Sequence, residues 1–114
     1  MHKPILAAAA FVACATAAPA YAKEARCVID SEGVSYNGPC NYTVAKGGTF
    51  TVTPPHGRGF GGETLSITVY VTRPGFGEIR GLTEAGINSR WGQARRSRRD
   101  AACWQGNGFS VCVY

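Results

Sequence analysis

At 114 residues the chain is the size of one domain, and its net charge of +5 rests on only 17% charged residues beside 45% hydrophobic ones. That balance excludes a disordered or low-complexity polymer, which lacks the apolar side chains for a core. It also excludes a helical membrane protein, because the one long apolar run, Ile5 to Ala18, falls short of the roughly 20 residues that cross a bilayer.

In chain order, Met1-His2-Lys3 is a short basic start, the alanine-rich run follows, and Ala20-Tyr21-Ala22 carries an A-x-A cleavage pattern. Residues 1–22 therefore read as a signal peptide and residues 23–114 as a single β-rich domain, periplasmic or secreted. Cys14 leaves with the leader; Cys27, Cys40, Cys103 and Cys112 stay. An even cysteine count in a small exported domain implies disulfides, which compensate for a limited core. The spacings are too wide for the close cysteine pairs of a zinc site, so no metal is expected.

Arg26 to Asp30 reads as a short strand. Asn41-Tyr-Thr-Val44 and Thr49-Phe-Thr-Val-Thr53 flank Lys46-Gly47-Gly48, a hairpin signal. Pro54 to Gly62 reads as a glycine-rich loop holding His56. Leu65 to Thr72 alternates strictly, with Leu65, Ile67, Val69 and Val71 on one face and Ser66, Thr68, Tyr70 and Thr72 on the other. Glu78 to Leu82 is another short strand, and Trp91 to Ala102 is the one helix candidate. Phe109 to Val113 closes the series. These elements predict an all-β fold, a small antiparallel barrel or sandwich with at most one short helix.

The stretch Cys103-Trp-Gln-Gly-Asn-Gly-Phe-Ser-Val-Cys112 fixes one bridge. Asn107-Gly108 favours a two-residue hairpin loop, since both positions tolerate positive φ. Counting outward pairs Gly106 with Phe109, Gln105 with Ser110, Trp104 with Val111 and Cys103 with Cys112. The cysteines then form a non-hydrogen-bonded pair with Cα atoms roughly 4.5 Å apart, within reach of a disulfide. Four cysteines allow three pairings; a 103–112 bridge leaves 27–40.

Chemistry has few footholds. His56 is the one histidine after the leader, so histidine-assisted nucleophilic catalysis by an exported hydrolase would have to use it. Gly57-Arg-Gly-Phe-Gly-Gly62 fits G-x-G-x-x-G, but a strand rather than a helix follows, so no dinucleotide cofactor is implied. Charge is more informative. From Lys23 to Ala85 the basic and acidic residues balance; beyond lie Arg90, Arg95, Arg96, Arg98 and Arg99 against Asp100 alone. Arginine suits planar contact with phosphate and carboxylate, and Trp91 and Trp104 flank the cluster. Such a cluster commonly meets nucleic acid; export points instead to an anionic envelope polymer, a lipid headgroup or an acidic protein.

Two further stretches carry a resemblance. Ser31-Glu-Gly-Val-Ser-Tyr36 resembles an S-G-x-x-Y motif with one residue inserted after the serine. Tyr42-Thr-Val-Ala-Lys46-Gly47 resembles a shortened Y-x-x-x-T-K-G motif without its threonine. Both are loop motifs of the periplasmic inhibitors of c-type lysozyme, small exported β-domains. The resemblance implies that Ser31 and Lys46 would meet the catalytic carboxylates of a lysozyme, with Tyr36 and Tyr42 belonging to the same two inhibitory loops.

The leading expectation is a non-enzymatic exported binding domain that engages an anionic partner through Arg90, Trp91, Arg95, Arg96, Arg98, Arg99 and Trp104. The alternatives are an inhibitor of lysozyme or another wall-degrading enzyme, and a small hydrolase using His56.

Overall fold

The computed structural model describes residues 22–55 and 59–114. Residues 1–21, which hold most of the expected signal peptide, and His56, Gly57 and Arg58 lie outside the described residues. Eight antiparallel strands form a closed barrel in chain order: β1 (Lys23–Ser31), β2 (Val34–Val44), β3 (Phe50–Thr53), β4 (Thr64–Arg73), β5 (Phe76–Thr83), β6 (Asn88–Arg96), β7 (Cys103–Gly106) and β8 (Phe109–Val113). Pairing of Cys27–Asp30 with Ser110–Val113 closes it. Eight strands leave an interior just wide enough for side chains to fill. Ile29, Val52, Ile67, Val69, Ile79 and Val111 fill it and are essentially inaccessible.

The outer faces are polar. Thr43, Thr51, Thr68, Arg80 and Arg90 lie in one register row across β2 to β6, and the Thr51 and Thr68 hydroxyls meet at 2.8 Å. A barrel in lipid needs the reverse, an apolar outer band. Among the described residues no helix is long and apolar enough to cross a membrane.

Both bridges form as the hairpin count requires. β7 and β8 pair in the expected register, with Gly106 opposite Phe109 and Cys103 opposite Cys112. The Cys103 and Cys112 Cα atoms are 3.9 Å apart. Cys27 and Cys40 face the interior, where they link β1 to β2 across a diagonal, 5.8 Å between Cα atoms.

Three expectations need correction. Residues Trp91 to Arg96 are strand, not helix. The segment has few strand-favouring side chains, but pairing with β5 on one side and β7 on the other decides its conformation. The Pro54–Gly62 segment is not a free loop at its end: Phe60 is fully buried and meets Tyr36 edge-on at 4.9 Å, plugging one end of the barrel. Finally, a register shift between Thr64 and Ser66 breaks the alternation at the start of β4. Thr64 is buried there and Leu65 is only half-buried.

Candidate functional site

Because consecutive strands run in opposite directions, alternate turns share an end of the barrel. The turns after β2, β4 and β6 lie at one end with Lys23 and Tyr114; those after β1, β3, β5 and β7 lie at the other. This parity sorts the charges. The first end carries Arg95, Arg96, Arg98 and Arg99 and gathers Lys23, Lys46 and Arg73 from three other elements, all exposed. Glu24 and Asp100 are the acids there. Asp30, Glu32, Glu63 and Glu84 lie at the opposite end, where the Glu84 N–H donates to the Glu63 carbonyl at 2.9 Å.

The arginine turn is ordered by its own short polar residues. The Ser97 hydroxyl accepts from the Arg99 and Asp100 N–H groups at 3.1 and 3.2 Å, and Asp100 Oδ1 accepts from the Ala102 N–H at 3.0 Å. Serine and aspartate commonly organise turns in this way. The Arg96 Nε donates to the Ala101 carbonyl at 2.7 Å, and its guanidinium stands 5.7 Å from the Trp104 ring centroid. Arg95 and Arg73 both lie over the Phe76 ring, at 5.2 and 3.8 Å. Among the described residues, the ion pairs join Glu78 to Arg80 and to Arg90; neither uses an arginine of this end.

The Tyr114 hydroxyl hydrogen-bonds to Asp100, and this bond holds the Asp100 carboxyl below its ordinary pKa, with help from the Ala102 N–H. The same bond holds the Tyr114 hydroxyl above its ordinary value, with desolvation and the Asp100 charge adding to it and Arg26 opposing. Below the turns the barrel opens into a cavity of about 240 Å³, lined by Lys23, Tyr42, Phe50, Arg96, Trp104 and Tyr114, among others. Phe50 and Trp104 are almost fully buried, so they floor this mouth.

Of the residues expected to form one face, the structure brings together Arg95, Arg96, Arg98 and Arg99, with Trp104 beneath them. Arg90 lies on the barrel wall in the Glu78 ion pair. Trp91 points to the opposite end, edge-on to Phe109 at 5.8 Å. Ser31 and Lys46 are not brought together: the 11-residue strand β2 runs between them, on the order of 30 Å at roughly 3.3 Å per residue. Tyr36 lies against Phe60 and Tyr42 against Phe50 (5.2 Å). Sequence reading missed Lys23 and Arg73. Pro74-Gly75 was a turn signal beside Arg73, but its end is known only once the strands are counted. All four cysteines of the domain are in disulfides.

Comparison of the chain with protein-family models, with curated proteins and with solved structures found no match.

Proposed function

We propose that the protein is an exported, non-enzymatic binding domain whose basic barrel end engages an anionic partner of the cell envelope. The observation that supports this reading is the sorting of charge. Lys23, Lys46 and Arg73, far apart in sequence, join the arginine turn at one end. The acids Asp30, Glu32, Glu63 and Glu84 are held at the other. Solubility alone is served by interspersed signs, whereas a single-sign end steers and holds an opposite charge. Export fits the two disulfides, which persist in oxidising compartments. The partner offers phosphate or carboxylate groups, as a lipid headgroup, an acidic polymer or an acidic protein does.

The test is co-sedimentation of the oxidised protein with phosphatidylglycerol vesicles, phosphatidylcholine vesicles and an immobilised uronic-acid polymer across a salt series. Binding to an anionic target that weakens steeply with salt is expected. Two outcomes would overturn the proposal. One is inhibition of a c-type lysozyme that is relieved by Lys46→Ala. The other is a hydrolytic activity abolished by His56→Ala.

A further inference from the structure

The acidic end holds the larger cavity, an open groove of about 920 Å³ between the β1–β2 turn and the β7–β8 hairpin. Its base is a built pair of aromatic rings. Trp91 is an extra residue in β6: Arg80 pairs with Arg90 and Ile79 with Gly92, so the indole is bulged out of the ladder. Bulges of this kind re-aim a side chain. The bulge needs Gly92, whose φ of 131° other residues rarely adopt. Space is cleared for both rings as well. A Cβ on Gly81 would sit 3.0 Å from the Trp91 Nε1, and one on Gly106 would sit 2.0 Å from Phe109. Both rings are half-buried, packed on the core at one side and lining the groove at the other.

The rim is polar and of mixed hydrogen-bonding sense. Asp30, Ser110 and Gln105 form one register row across β1, β8 and β7, spaced roughly 4.8 Å from strand to strand. Together they offer carboxylate, hydroxyl and amide groups, and Asn107 adds a second amide on the hairpin turn. Among the described residues no lysine or arginine lines the groove, while Asp30 and Glu32 do. An anionic ligand is thereby disfavoured, and this site is chemically the opposite of the basic end. An aromatic base under a rim of paired donors and acceptors matches a pyranose, which has apolar C–H faces and a girdle of hydroxyls. The volume lies in the range of small-molecule sites, roughly 300–1,000 Å³, which accommodates several sugar units.

We infer that this groove binds a neutral oligosaccharide, stacked on Trp91 and Phe109 and hydrogen-bonded by Asp30, Ser110 and Gln105. The inference does not depend on the basic end, and the two sites fail separately.

Calorimetric titration of the full oxidised protein with chitotetraose, cellotetraose and maltotetraose tests it. At least one of these neutral probes should bind with an affinity that salt leaves unchanged. Tryptophan fluorescence should shift on binding, since Trp104 is buried and Trp91 is the accessible reporter. Trp91→Ala should weaken binding by about tenfold or more, the loss of one aromatic contact with its buried area. Should that variant unfold, the double variant Asp30→Ala, Gln105→Ala alters only exposed rim residues and should show a comparable loss. The inference is overturned if none of the three probes binds, if binding persists in both variants, or if a cationic chitosan tetramer binds and the neutral ones do not.

Discussion

The Tyr114 hydroxyl donates to Asp100 Oδ2 at 2.6 Å, tying the one acid of the arginine turn to the residue that follows β8. Each partner is shifted by the bond, Asp100 downward and Tyr114 upward. A lowered carboxyl pKa stabilises the folded state above the ordinary carboxylate value, and that contribution is lost as pH falls below it and through the lowered one. A raised hydroxyl pKa stabilises below the ordinary tyrosine value and is lost as pH rises through the shifted one. The difference in melting temperature between the parent and Tyr114→Phe should therefore be present near neutral pH and vanish at both extremes. Melting curves across pH check this; a difference independent of pH would contradict it.

Charge at the basic end should act additively, because these side chains are exposed and spread over four elements. A Lys or Arg near an anionic membrane surface contributes about 1 kcal/mol. Lys46→Ala and Arg73→Ala should each weaken vesicle binding about fivefold, although they lie far from the arginine turn in sequence. Replacing Arg95, Arg96, Arg98 and Arg99 together with serine should cost about three orders of magnitude. Asp100→Asn should strengthen it. Vesicle titrations at one fixed salt concentration compare all four.

The plug at the acidic end should matter for stability. Phe60 is fully buried, and truncating a buried phenylalanine typically costs about 3–5 kcal/mol. Urea unfolding of Phe60→Ala should show a loss of that order with the fold retained. A loss below about 1 kcal/mol would mean that the glycine-rich segment does not hold the barrel end.

Each disulfide closes a short loop, with sequence separations of 13 and 9. In the chain-entropy account this amounts to about 3 kcal/mol per bridge. The Cys27–Cys40 bridge also fills core volume. Cys27→Ala, Cys40→Ala should therefore destabilise more than Cys103→Ala, Cys112→Ala, as read from denaturant midpoints of the two double variants.

What the sequence carried on its own was short-range. Asn107-Gly108 set the register of its hairpin and so placed Cys103 opposite Cys112, because a two-residue loop leaves one way to count outward. Alternation from Ile67 to Tyr70 correctly assigned inner and outer faces, because period 2 is a property of a single strand. The helix expected over Trp91 to Ala102 failed because β5 and β7, distant in sequence, supply the hydrogen bonds that make Asn88–Arg96 a strand. Closure of eight strands decided the rest. Only the alternation of strand direction puts Lys23, Lys46 and Arg73 at the end of Arg98 and Arg99, and sends Ser31 to the other. Only the bulge opposite Ile79 and Arg80 turns Trp91 away from the arginines that neighbour it in sequence, since one inserted residue exchanges the faces of a strand. Neither effect is local, so no window of neighbouring residues contains it.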